Sequence, residues 1–150
     1  MTLEEMLALL PDNSVGAIDA ADLRVIVTEL FHAANTYAQT FSYAWSTTGG
    51  SPSTGKVITS NLAWDDSVTE IDINETTSDG YTLVFNLFDA SDGGQVWLSG
   101  AQGGILRTTI TAPSVDNGSY RSIPVTVDSW VGPAPANNEK VTVTVLVRLL

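Results

Sequence analysis

The chain has 150 residues, no cysteine, and 17 Asp and Glu against 6 Lys and Arg, a formal charge of -11. Its length suggests one main domain with a small appendage, able to bury roughly two-thirds of its unfolded surface, while the lack of cysteine excludes disulfides, thiolate metal sites and cysteine nucleophiles. So acidic a surface repels a phosphate backbone, where a nucleic-acid binder gains from counterion release, so no nucleic-acid partner is expected.

The first element predicted is a short helix. Thr2 with Glu5 three residues on forms a capping-box pattern, and Leu3, Met6, Leu7 and Leu10 follow at helical spacing before Pro11 and Asn13 end it. Asp19 caps a second helix, in which Leu23, Ile26, Val27, Leu30, Phe31 and Ala34 form an amphipathic stripe that Tyr37, Ala38 and Phe41 extend. Helices this short are marginal alone in water, so the stripe needs a cover. The candidates are the first helix, the β domain, another copy, or another protein. Leu23, Ile26, Val27, Leu30 and Phe31 are accordingly the predicted docking and oligomerisation residues.

Residues 46–55, Ser-Thr-Thr-Gly-Gly-Ser-Pro-Ser-Thr-Gly, contain nothing that builds a core and read as a flexible linker. The alternative is one long hairpin loop, because Tyr43 to Trp45 and Val57 to Leu62 both look extended. The linker reading divides the chain into a helical docking segment (1–45), a linker (46–55) and a β domain (56–150).

From Lys56 onward apolar residues alternate with period two. The predicted strands are Val57 to Leu62, Thr69 to Asn74, Tyr81 to Phe88, Gln95 to Leu98, Leu106 to Ala112, Tyr120 to Val127 and Val141 to Leu149. Gly-, Asp- and Asn-rich turns separate them, Asn117-Gly118 carrying the strongest hairpin signal. The expected core is Ile71, Ile73, Leu83, Phe85, Leu87, Trp97, Ile110, Val125, Val127, Val141, Val143, Val145 and Val147. The expected fold class is α+β, with short N-terminal helices followed by an antiparallel β-sandwich or small β-barrel.

Chemistry finds few footholds. Placing Gly16 on the obligatory glycine of an EF-hand loop puts Pro11 and Val15 where side-chain oxygens are needed, so the segment reads as an Asp-capped helix entry. Asp65-Asp66, and Asp89 with Asp92, read as turn carboxylates. His32, the single histidine, sits on the polar side of the second helix without a nucleophile motif. No catalytic residue, metal or cofactor is therefore expected. Of the tryptophans, Trp97 alternates with Val96 and Leu98 and reads as core, whereas Trp64 and Trp130 abut turns and are the candidates for a surface contact. The N-terminus shows no basic region before its apolar run, and no window approaches the roughly 18 apolar residues of a membrane span; neither a signal peptide nor a membrane partner is expected.

Three segments carry a resemblance. The order Leu106 to Pro113, Asp116-Asn117-Gly118, Ile123-Pro124-Val125, Asn137-Asn138 and Val141 to Val145 resembles the C-terminal half of a β module of tailed-bacteriophage virion proteins. Leu62-Ala63-Trp64-Asp65-Asp66 and Thr69 to Asn74 resemble its opening strands, and residues 9–24 resemble a segment frequent near the start of phage fibre and capsid-associated proteins. Together they span about two-thirds of the chain. Gln95 to Gly100 departs from the acidic strand the module often has there, and no long shaft or coiled coil is present.

What the resemblance implies is a virion structural protein rather than an enzyme: a capsid-decoration or short head-fibre protein, made in the host cytoplasm and displayed on the particle exterior. It would be a trimer contacting the major capsid protein or another virion protein. The alternative is a tail-fibre or receptor-binding module that contacts a host surface glycan.

Overall fold

The computed structural model describes residues 24–28, 30, 36–83 and 93–148. Within them the chain forms eight strands: β1 (Thr36–Trp45), β2 (Lys56–Thr59), β3 (Glu70–Asn74), β4 (Gln95–Gly100), β5 (Ile105–Ile110), β6 (Val115–Asp116), β7 (Tyr120–Val131) and β8 (Lys140–Arg148). Their order is β3-β2-β1-β8-β4-β5-β7-β6, and β3 also pairs with β7, from Glu70↔Pro124 to Asn74↔Tyr120. That last ladder closes seven strands into a barrel, leaving β6 as a short extension of the β5 edge against β7. Closure gives both end strands of the sheet a partner, which a sandwich would not.

The fold is therefore a mostly β barrel, and the α+β expectation is overturned. The first predicted helix, together with Leu23 and Phe31, lies outside the described residues. Of the second helix, residues 24–28 and 30 are helical. Its expected extension through Tyr37, Ala38 and Phe41 is strand β1, paired with β8 from Thr36↔Arg148 to Ala44↔Lys140. The physical reason is legible in hindsight. Tyr37, Phe41, Tyr43 and Trp45 share odd positions with small or polar residues between them, and β-propensity favours aromatic and β-branched residues in a pleated, half-buried strand.

The expected boundary at residue 45 consequently falls inside the barrel, and residues 46–55 are not a free linker. β1 and β2 are parallel neighbours that overlap only at Ala44↔Lys56 and Trp45↔Val57, so the intervening chain has merely to double back. It is pinned as it does so. The Gly55 amide donates to the Thr76 carbonyl at 2.9 Å, the Asn74 side-chain amide donates to the Pro52 carbonyl at 2.9 Å, and Pro52 and Gly55 are buried.

Inward-facing residues alternate along every major strand. Tyr43, Trp45, Val57, Ile71, Ile73, Val96, Leu98, Leu106, Ile110, Ile123, Val125, Val141, Val143 and Val145 form one buried cluster, with Phe41, Leu83 and Val127 packed against it. Trp97 does not belong to it. It is half-buried on the outer face of β4, where the Arg107 guanidinium lies 5.0 Å from its ring centroid. Phe85 and Leu87 lie outside the described residues. Two polar groups inside the barrel are satisfied internally: the Tyr43 hydroxyl donates to the Asn74 carbonyl at 2.8 Å and the Thr108 hydroxyl to the Val96 carbonyl at 2.8 Å.

Candidate functional site

One mouth of the barrel carries the tryptophan cluster. The loop between β2 and β3 turns Trp64 inward, so this predicted surface residue is only 2% exposed and acts as a plug. Its ring meets Trp45 edge to face, with centroids 5.7 Å apart and planes at 85°. The plug fits because glycines line its other side. A Cβ on Gly104 would stand 2.7 Å from the Pro133 carbonyl oxygen and 3.3 Å from the Trp64 ring, and one on Gly100 would stand 3.0 Å from Pro135.

Trp130, the other predicted surface residue, is 47% exposed. A bulge sets its direction. β7 pairs with β5 as Thr108↔Val127 and then, past Asp128, as Arg107↔Ser129 and Leu106↔Trp130. The additional residue reverses the alternation, so Trp130 takes the same face as its partner Leu106, which points into the barrel. The Thr109 hydroxyl holds the bulge by donating to Asp128 Oδ2 at 2.7 Å. At the barrel mouth that inward face is open, and the indole borders a cleft instead of the core.

This cleft has a volume of about 680 Å³, and Trp45, Leu62, Trp64, Asp65, Trp130 and Pro133 are among its walls. Hydrogen bonds fix the walls. Asp65 Oδ1 accepts from the Ser67 amide at 2.9 Å, from the Ser67 hydroxyl at 2.5 Å and from the Asn61 side-chain amide at 3.1 Å. The Ser67 hydrogen bonds hold the Asp65 carboxyl below the usual carboxylate range, so it is ionised at neutral pH. On the opposite wall the Asn138 amide donates to the Trp45 carbonyl at 2.9 Å and the Thr47 amide to Asn137 Oδ1 at 3.2 Å. The indole N–H groups of Trp45 and Trp64 are buried and have no hydrogen-bond partner among the described residues.

A second cleft, of about 440 Å³, lies on the outer face of β3, bordered by Gly49 and Gly50 of the 46–55 loop, Ile58, Glu70, Asp72 and Ser122. The register Ile58↔Asp72↔Ser122 places these three side chains in one row. The Ser122 hydroxyl donates to Asp72 Oδ1 at 2.6 Å and accepts from Asn117 Nδ2 at 2.9 Å. Burial pushes both carboxyls up. For Glu70 the charge of Asp72 adds to desolvation; for Asp72 the hydrogen bonds from Ser122 and Glu70 partly offset it. Both carboxyls therefore hold a proton to higher pH than they would in the unfolded chain.

Ile26 is half-buried, while Val27 and Leu30 are each 55% exposed and Val25 is 41% exposed. Val27 and Leu30, three residues apart, are neighbours on one face of this helical stretch, with Val25 on the other side. Among the described residues no three His, Cys, Asp or Glu side chains are grouped to hold a metal. Sequence reasoning singled out Trp130 and missed the Glu70–Asp72 pair, whose signal was only two acids two residues apart on a predicted strand. No family model, curated protein or solved structure matches the chain.

Proposed function

We propose that the chain is a structural protein of a tailed-phage particle, most simply a capsid-decoration or short head-fibre protein. Its barrel is the displayed body and the stretch of residues 24–30 is the attachment. The observation that carries this reading is the exposure of Val27 and Leu30 on one face of a short helical stretch. An exposed apolar patch of this kind marks a surface made to be covered, and here the cover is a neighbouring copy or a capsid subunit. The net charge of -11 favours the outside of a DNA-filled shell and discourages nonspecific association between crowded copies. The closed barrel suits display for the same reason, since ring closure through β3 and β7 leaves no terminal strand of the sheet wholly unpaired on its inner side.

The test is gold labelling of intact, DNA-filled particles with an antibody to the barrel, before and after a wash at about 1 M salt, where the Debye length is only about 3 Å. Label distributed over the head and surviving the wash is the expected result, because apolar docking is not screened. Label confined to the tail tip would support the receptor-binding alternative instead. Intact particles without label would remove the displayed-protein reading.

A further inference from the structure

We propose that the cleft at the Trp130 mouth of the barrel is a binding site for a neutral saccharide, with a pyranose ring stacked on the Trp130 indole and its hydroxyls donated to the Asp65 carboxylate. This goes beyond attachment to a particle and does not depend on it.

An isolated surface tryptophan is unremarkable, but Trp130 is brought to a concave wall by a bulge that is itself held by the Thr109–Asp128 hydrogen bond. Bulges recur where a strand re-aims a side chain toward a site. The recess beside it is broad and open, about 680 Å³, which suits a ring laid flat on the indole face. Walls already fixed by hydrogen bonds reduce the ordering cost of binding.

The polar groups select the ligand class. Of the two Asp65 oxygens, Oδ1 takes all three of the hydrogen bonds from Asn61 and Ser67, so Oδ2 is the one offered for a ligand's O–H. Charge-assisted hydrogen bonds of this type are about twice as strong as neutral ones. The indole N–H groups of Trp45 and Trp64 are buried behind these walls, so the groups open to a ligand are the Trp130 ring and the Asp65 carboxylate. A saccharide matches this pair because its hydroxyls donate to the carboxylate while the C–H face of the ring supplies apolar contact to the indole.

Two competitors fit less well. A proline-rich peptide would also pack against tryptophan, yet proline has no N–H to give the carboxylate. An acidic sugar would meet Asp65 and a chain of net charge -11.

The experiment exposes the full-length protein to a printed array of oligosaccharides ending in neutral hexoses and N-acetylhexosamines, with sialylated glycans and polyproline peptides as the other arms. The best neutral binder is then titrated in solution by NMR. Binding is expected to move the Trp130 indole N–H signal. Trp130→Ala is expected to weaken it by roughly tenfold, the upper end of an aromatic contact, and Trp130→Phe to keep most of it. Absence of any neutral binder overturns the proposal. So does binding that leaves that indole signal still, binding unchanged in Trp130→Ala, or binding only to sialylated glycans or polyproline. Particle labelling can fail without touching this result, and the reverse also holds.

Discussion

Glu70 and Asp72 stand two residues apart on β3, so the pleat places both on the outer face, and the loop over that face keeps water from solvating two charges at once. Their folded pKa values are raised, meaning that the fold binds protons more tightly than the unfolded chain. Their contribution to stability is thus full below the ordinary carboxylate range of about 4, and it is lost as pH rises through the folded values. Replacing Glu70 by Gln fixes the protonated shape without the charge. The variant should melt within error of the parent near pH 4 and about 1 to 3 °C higher at pH 7, as read by circular dichroism. A variant that melts lower at pH 7 would show that the ionised pair is used, for instance by a bound cation. Asp65 runs the other way: its lowered pKa adds stability above the ordinary range that is lost as pH falls.

The element that decides the architecture is β1, because it is the seam between β2 and β8 and supplies Tyr43 and Trp45 to the core. A fragment of residues 56–150 leaves that seam open, with the β8 edge and the inner face of the barrel bare. It should express as an aggregated or molten product, with poorly dispersed amide resonances, whereas the full chain gives a dispersed spectrum. A cooperatively melting 56–150 fragment would return the division at residue 45. Much of the barrel was legible without a structure: β3, β4, β5, β7 and β8 each coincide with a predicted strand, since period-two alternation records which face is buried. β1 was not, because Tyr37 and Phe41 stand four apart and continue the helical stripe of Leu30 and Ala34 as well as they start an alternation. Nor was closure, which depends on Ile71 meeting Ile123, a pairing that no local pattern encodes. At the mouth, Trp130 was legible from its neighbours Gly132 and Pro133. Trp64 was not, because the same turn signal that suggests a surface position also describes a loop folded back over the barrel end.

At the scale of the molecule, the closed barrel and the helical stretch pose different problems of burial. The barrel hides most of its apolar residues within one chain, Val115, Trp130 and Val131 excepted, and β1 before Ala44 and β7 after Pro124 have a ladder partner on one side only among the described residues. The helical stretch does not, since Val27 and Leu30 remain 55% exposed. Self-association through that surface, as a trimer, is the arrangement we propose, and it fixes what a pair of charges would do. Val27→Asp with Leu30→Asp puts carboxylates where a neighbouring copy should pack, in a chain already at -11, so both desolvation and like-charge repulsion oppose assembly. Multi-angle light scattering should give the parent three times the mass of one chain and the double variant a single chain. Both proteins should keep the barrel's thermal transition, because the substituted side chains are already exposed in the single chain. A parent that is monomeric at all concentrations would leave the apolar stretch to a different protein. The same double variant, lost from the particle surface while the parent is retained, would then assign that role to a capsid or neck subunit.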